Sequence, residues 1–114
     1  MNFFDKLREA NKLRASEWGG GSQVSFNEEL LYRSNELGGE SGEAQDAVKK
    51  YVRFRRKMAG GVHFEQSFDD ISKELADTII CCDLVAEMLG INLEKAIQHK
   101  FNKTSDKHNF ETKL

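Results

Sequence analysis

A chain of 114 residues provides one modest hydrophobic core, so we expect residues 1–114 to form a single domain. The 17 basic and 19 acidic side chains give a net charge of −2, and no overall positive field therefore draws the protein to nucleic acid or to an anionic membrane. A hydrophobic fraction of 39% is low for a self-sufficient monomer, and we expect a homodimer or a homotetramer.

The length of the apolar runs and the number of cysteines indicate the cellular compartment. No apolar run approaches the ~20 residues of a membrane-spanning helix, and the N-terminal residues MNFFDKLREA lack the apolar region of a signal peptide. The only cysteines, Cys81 and Cys82, are adjacent, and neighbouring cysteines rarely form a disulfide. We predict a cytoplasmic protein in which both are small core residues.

The first two helices are predicted from apolar periodicity and end signals. The first covers residues 2–18, and the run GGGS at 19–22 ends it as a flexible joint. Ser25 followed by Glu28 fits a capping box at the start of the second helix. We expect this helix to continue to about Lys57, where a glycine pair follows.

Two further helices are predicted in the C-terminal half. After a variable loop at 59–66, Ser67 and Asp70 fit a second capping box, for a helix that Gly90 closes. Asn92 can cap a fourth helix, and the apolar pattern then fades into a polar tail. Because almost nothing alternates with period two, the sequence predicts an all-α fold with a four-helix bundle-like core.

Four acidic residues border the apolar stripes of the second and third helices. Glu40 and Glu43 are three positions apart and share a helix face, and Glu74 and Asp77 repeat this spacing. Packing the two stripes together would gather four carboxylates, at a cost on the order of several kcal/mol unless they are neutralised. Mg²⁺ suits carboxylates supplemented by phosphate and water, and it favours phosphoryl chemistry. The alternative is that these acids are solvated helix edges paired with lysine or arginine.

Three glycines interrupt the predicted second helix beside the first acidic pair. Gly38, Gly39 and Gly42 each cost about 1 kcal/mol of helix propensity. We expect them to let a neighbouring helix or a phosphate approach the backbone closely. Glu36 and Asp46 flank this stretch and are interpreted as neighbours of the site.

The acidic motifs and the segments after them carry a family resemblance. GESGE at 39–43, followed by ELADTII at 74–80, resembles the paired motifs of the MazG-like, all-α nucleoside triphosphate pyrophosphohydrolases. The likeness continues through GINLEKAI at 90–97 and KFNKTS at 100–105, and it covers roughly 36–105. The resemblance implies Mg²⁺-dependent hydrolysis of nucleoside or deoxynucleoside triphosphates to monophosphate and pyrophosphate, with Mn²⁺ as a substitute for Mg²⁺. By match to the motif, the metal ligands and catalytic residues would be Glu40, Glu43, Glu74 and Asp77.

Five further residues are candidates for substrate binding. Relatives place lysine and asparagine near the triphosphate after the fourth helix, so the resemblance implies this role for Lys100, Asn102 and Lys103. Trp18 can stack on a base, and Arg14 can reach a phosphate or a base. The alternatives are a solvated helix end for the first three and a buried anchor of the first helix for Trp18.

Two alternative functions stay open. The basic run KKYVRFRRK at 49–57 contains aromatic residues, which suits a helical nucleic-acid-binding or regulatory module. Its charges spread around the helix, however, so a solvated helix end is preferred. A nearer alternative is a related helical pyrophosphohydrolase, dUTPase-like or phosphoribosyl-ATP, with a different substrate. The stretch between Glu43 and Glu74, which contains the basic run, is longer than in many relatives.

Overall fold

The computed structural model describes residues 1–19 and 24–114, and this part of the chain contains four α-helices and no strand. The prediction of an all-α fold is therefore confirmed. The joint predicted at 19–22 lies, apart from Gly19, outside the described residues. The helices are α1 (Phe3–Glu17), α2 (Phe26–Arg55), α3 (Phe64–Met88) and α4 (Leu93–Lys107).

Polar side chains begin α2 and α4 at the predicted positions. The Oγ atom of Ser25 accepts a hydrogen bond from the Glu28 amide at 3.2 Å, and Oδ1 of Asn92 accepts one from the Lys95 amide at 3.0 Å. These bonds satisfy amide groups that have no partner within the helix. Gly90 follows the end of α3 with a φ of +66°, the left-handed conformation in which glycine closes a helix.

The capping box predicted at Ser67 and Asp70 is wrong. The helix begins earlier, at Phe64, and the side chain of His63 caps it by accepting a bond from a first-turn amide at 3.4 Å. Ser67 lies inside α3 and is buried, and its Oγ donates to the carbonyl oxygen of Val62 at 2.9 Å. A serine hydroxyl can bond a preceding carbonyl as well as cap a helix, and the short motif does not distinguish the two cases.

The turn between α2 and α3 is fixed against the end of α2. The amide of Val62 donates to the carbonyl oxygen of Lys50 at 3.1 Å. A β-carbon on Gly61 would lie 2.5 Å from the amide nitrogen of Phe54, so only glycine fits there. Gly60 has a φ of +78°. In the segment predicted as a variable loop, residues 59–63 therefore form a turn held against α2, and residues 64–66 belong to α3.

Packing between the helices is concentrated in one half of the molecule. The helices α2 and α3 form an antiparallel hairpin with extensive contact, and α1 packs against α3. In contrast, α4 makes only marginal contact with the other helices. Within the described residues, the buried hydrophobic side chains are small and few: Ala44, Cys81 and Ala86.

Large apolar side chains remain exposed on every helix. Examples from the four helices are Leu13, Leu31, Leu75, Ile79 and Phe101. The accessible surface is 8680 Å² at a mass of 13.0 kDa. A compact monomer of this mass exposes about 6,300 Å², so the excess is roughly 2,400 Å².

The two cysteines carry free thiols, as predicted. Cys81 is buried and Cys82 is partly buried. Burial raises the pKa of Cys81 to about 11, and the negative charges of Glu36, Glu40 and Asp77 add to this effect. The thiol of Cys81 therefore stays protonated and belongs to the packed interior. Among the described residues, no helix is long and apolar enough to cross a membrane.

Candidate metal centre and substrate-binding residues

The α2–α3 hairpin brings the two acidic pairs to the same level. Glu40 and Asp77 lie at equal distances along the sequence from one point in the turn, and so do Glu43 and Glu74. Both helices have the same rise per residue, so such mirror positions come to the same height in an antiparallel pair. The tight turn therefore sets which acidic residues face each other.

Three of the four carboxylates form a close cluster. One side-chain oxygen from each of Glu40, Glu74 and Asp77 lies within 4.8 Å of the others. The Oε2 atoms of Glu40 and Glu74 are buried and have no hydrogen-bond partner. Buried oxygens normally have partners, so these two mark an incomplete site. Three carboxylates with free oxygens form the type of donor set that a hard divalent cation binds.

Burial and repulsion raise the pKa values within this cluster. The pKa of Glu74 rises to about 7, first through burial and then through the adjacent carboxyl groups of Glu43 and Glu40. Burial also raises the pKa of Glu40, and the negative charges of Glu43 and Asp77 contribute. In the described ranges, none of the ion pairs involves any of these four acids. The alternative pairing of these acids with lysine or arginine is therefore not found among the described residues.

Glu43 lies beside the cluster. Its side chain is exposed, and its oxygens are outside the group that meets within 4.8 Å. Its charge nevertheless contributes to the raised pKa values of Glu40 and Glu74. The structure thus groups three of the four predicted ligands and places the fourth at their edge.

Asp46, on the same helix as Glu40, is neutralised by lysines. Its two carboxylate oxygens lie 3.1 Å from Nζ of Lys49 and 2.9 Å from Nζ of Lys50. Hydrogen bonds from Lys50 and Lys49 lower the pKa of Asp46 below its ordinary value. The interpretation of Asp46 as a neighbour of the site is consistent with this pairing. The first residues of the basic run are also partly neutralised.

The glycines of α2 face open space. A β-carbon built on Gly38, Gly39 or Gly42 would have no atom of another element within 4 Å. The expected close approach of a neighbouring helix therefore does not occur within one chain. The glycine face lies next to Glu40 and Glu43 and is free for a ligand or for another chain.

The candidate substrate-binding residues lie on other elements. Lys100 lines an apolar groove of about 690 Å³ on α4, Asn102 is bonded to Leu114, and Lys103 is exposed. Because α4 makes only marginal contact with α2 and α3, one chain does not join these side chains to the acidic cluster.

The two candidates from α1 are accessible. Trp18 follows the end of the helix, and 79% of its surface is exposed. The alternative of a buried anchor is therefore wrong for Trp18 within one chain. Arg14 is exposed as well, and its backbone oxygen accepts a hydrogen bond from the amide of Trp18 at 3.2 Å.

One buried polar network was missed in the sequence. Oδ1 of Asp83 accepts a bond from Nε of Arg8 at 3.0 Å, and Oδ2 accepts one from Nδ2 of Asn11 at 3.0 Å. Arg8 also donates to the carbonyl oxygen of Ile91 at 2.8 Å. The network joins α1 to α3 and to the turn before α4. The available signal was the spacing of Arg8 and Asn11, which places both on one face of α1.

These features define an all-helical protein with a candidate divalent-metal centre on a helical hairpin. The family model of the MazG nucleotide pyrophosphohydrolase domain matches residues 29–110, which contain both acidic pairs and α4. The chain belongs to this family, and the resemblance found in its motifs is confirmed. No curated protein and no solved structure matches the chain. The helix α1 lies outside the matched residues.

Proposed function

We propose that the protein is a Mg²⁺-dependent pyrophosphohydrolase that converts nucleoside or deoxynucleoside triphosphates to monophosphate and pyrophosphate in the cytoplasm. The observation that carries this proposal is the cluster of Glu40, Glu74 and Asp77, in which two buried oxygens lack partners. Among residues 1–19 and 24–114, no lysine or arginine forms an ion pair with these acids. Membership of a nucleotide pyrophosphohydrolase family supports the substrate class. The two free cysteines fit a reducing compartment.

The side chains have distinct parts in this proposal. Glu40, Glu74 and Asp77 would hold Mg²⁺, for which Mn²⁺ can substitute, and the exposed Glu43 beside them would be the fourth ligand. Bound Mg²⁺ supplies charge for phosphate oxygens and lowers the pKa of a water ligand. The partly buried position of the cluster limits screening by solvent, so each charge acts more strongly on a phosphate than it would in water.

Assembly is part of the proposal, because one chain leaves its substrate-binding candidates apart from the acids. We propose a homodimer or a homotetramer in which a second copy covers the exposed apolar face, including Leu75 and Ile79 beside Glu74. The excess surface of roughly 2,400 Å² per chain is of the size that an obligate homodimer buries.

Sedimentation equilibrium tests the assembly. We expect a mass of twice or four times 13.0 kDa at micromolar concentration. Replacing both Leu75 and Ile79 by glutamate places charge on the proposed interface and should give monomers. A particle of 13.0 kDa for the unaltered chain would contradict the assembly.

The activity is tested with a panel of ribo- and deoxyribonucleoside triphosphates, including dUTP, together with phosphoribosyl-ATP. We expect release of pyrophosphate that requires Mg²⁺ and stops with a chelator, and the preferred compound separates the proposal from related helical pyrophosphohydrolases. No metal-dependent release from any compound would contradict the proposal. Salt-dependent binding of DNA or RNA that a chelator leaves unchanged would favour the nucleic-acid-binding module instead.

The functional roles of the remaining candidates follow from the same scheme. Lys100 and Lys103 would supply mobile positive charge to the triphosphate, and Asn102 would bond a phosphate or sugar oxygen. Exposed Trp18 would stack on the base, with Arg14 near the base or a phosphate. Substitution of these residues should raise KM more than it lowers kcat, because they bind the substrate away from the reacting bond.

A further inference from the structure

The C-terminal segment folds back along α4 and reaches Asn102. Nδ2 of Asn102 donates to the backbone oxygen of Leu114 at 3.1 Å, and the amide of Leu114 donates to Oδ1 of Asn102 at 2.8 Å. Nε2 of Gln98 donates to the same backbone oxygen at 3.2 Å. One residue of the tail therefore occupies both the donor and the acceptor of the Asn102 side chain.

Further contacts hold the tail on this path. The amide of Phe110 donates to the carbonyl oxygen of Ser105 at 2.8 Å, and the ring of Phe110 lines the apolar groove on α4. Lys113 forms an ion pair with Asp106. The segment is thus attached at its beginning by Phe110 and at its end by Leu114, and the side chain of Leu114 is itself mostly exposed.

The contacts of Leu114 are made by its backbone, which presents an N–H group and an oxygen side by side. An asparagine amide offers one acceptor and two hydrogen atoms for donation. Leu114 engages Oδ1 and one hydrogen of Nδ2. A nucleotide that pairs with both groups of Asn102 in the same way would take the place of Leu114.

We propose that residues 111–114 form a cover that competes with nucleotide for Asn102, and that nucleotide binding displaces it. This inference rests on the proposed function, which assigns Asn102 to the substrate. If the cover occupies the site in most molecules, only the uncovered molecules can bind nucleotide. The apparent affinity is then the intrinsic affinity multiplied by the uncovered fraction. Removing the cover should therefore tighten binding and leave the chemical step unchanged.

Three variants separate the cover from other roles of the tail. A chain ending at Phe110 removes the cover and keeps the contacts of Phe110 with α4. Leu114→Pro removes the N–H group that Asn102 accepts from, and it also changes the side chain and fixes φ. Leu114→Ala is the matched control, because it keeps both backbone contacts and changes an exposed side chain.

The expected results concern affinity. In the chain ending at Phe110, the KM for the preferred triphosphate and the Kd for its non-hydrolysable α,β-imido analogue should fall by about threefold to tenfold, with kcat unchanged. Leu114→Pro should change both in the same direction by a smaller factor, and Leu114→Ala should match the unaltered chain. Hydrogen exchange should show faster deuterium uptake in residues 111–114 when the analogue is bound.

The outcomes distinguish this inference from the proposed function. Normal hydrolysis with the same KM and Kd in all variants would overturn the cover alone, as would a tail that stays protected when the analogue is bound. A lower melting temperature of the shortened chain without tighter binding would assign the tail a structural role and overturn the cover. Failure of all variants to bind any analogue or to release pyrophosphate would overturn the proposed function and the cover with it.

Discussion

Two groups of acidic residues on α3 have opposite surroundings. Asp83 is only 1% exposed, and both of its oxygens are bonded to side chains of α1. Asp77 lies less than two turns away and Glu74 about two and a half turns away. Both face Glu40 with no cationic partner among the described residues. Asp83 and the Oε2 atom of Glu74 are both buried, so burial by itself does not distinguish a structural acid from a functional one. The distinction lies in whether the protein itself neutralises the charge.

Replacing a cluster acid should have the largest effect on function. Glu40→Gln removes a proposed ligand, and we expect kcat/KM for the preferred triphosphate to fall by about 100-fold or more. The metal-free protein should not lose stability, because the substitution removes repulsion. Pyrophosphate release and thermal unfolding measure the two effects.

Asp46→Asn is the matched control for Glu40→Gln, because Asp46 lies on the same helix and is paired with lysines. We expect it to retain normal turnover. Full activity of Glu40→Gln, or an equal loss in Asp46→Asn, would remove Glu40 from the metal centre.

Replacing the paired acid Asp83 should reduce stability more than activity. Asp83→Ala leaves the guanidinium of Arg8 and the amide of Asn11 without their partner, and the loss of a buried pair costs about 3–5 kcal/mol in the free energy of unfolding. Denaturant unfolding measures this loss, and turnover per folded molecule should fall far less than in Glu40→Gln. Unchanged stability would show that the α1–α3 network is not a main structural link.

The pH dependence of stability should separate the metal-free and metal-bound forms. The pKa of Glu74 rises from 4.5 to about 7 on folding, so the folded state binds this proton more tightly than the unfolded state. Without metal, stability should therefore fall as the pH rises from about 4.5 through 7. Mg²⁺ stabilises the ionised form, so its increase in melting temperature should be larger at about pH 8 than at about pH 5.

Thermal unfolding in a chelator and in Mg²⁺ at the two pH values measures this difference. Asp46 does not affect this comparison, because its pKa is lowered from 3.8. Its contribution to stability is lost only as the pH falls below the range from about 4.5 to 7. Glu74→Gln should reduce the slope, and the raised pKa of Glu40 accounts for the part that remains. An equal effect of Mg²⁺ at both pH values would contradict a metal site at the cluster.

The smallest expected effect concerns the glycine face beside the cluster. Gly39→Ala places a methyl group in open space. Because alanine has the higher helix propensity, the free energy of unfolding of the isolated chain should rise by about 0.5–1 kcal/mol. If a second chain occupies this face, assembly should weaken although the helix is stabilised. If a phosphate occupies it, KM should rise. Unchanged mass, KM and kcat would show that the face stays empty.

The features that were predictable from the sequence are mostly local. The cap at Ser25 and the end of α3 at Gly90 depend on residues within one turn of each helix end. The acidic cluster was predictable because its members share helix faces and match a family motif. A turn of the right length between α2 and α3 was the one further condition for bringing these acids together.

The features that were missed depend on distant partners. Asp83 and Arg8 are separated by 75 positions, and no local pattern links them. The hydroxyl of Ser67 is satisfied by a carbonyl before the helix, which a capping motif does not reveal. The contact of Asn102 with Leu114 likewise requires the path of the tail. Local rules could not place α4, because its orientation depends on the turn after α3.

The tight turn at Gly61 makes the site sensitive to chain length. An α-helix turns by about 100° and rises about 1.5 Å per residue. One residue inserted between the turn and Glu74 would rotate Glu74 and Asp77 away from Glu40, even though every side chain of the site remained in the sequence. Only insertions of about seven residues, or two turns, in both helices would restore the facing positions. The hairpin therefore permits many substitutions on its outer faces but few changes in the spacing between its acids.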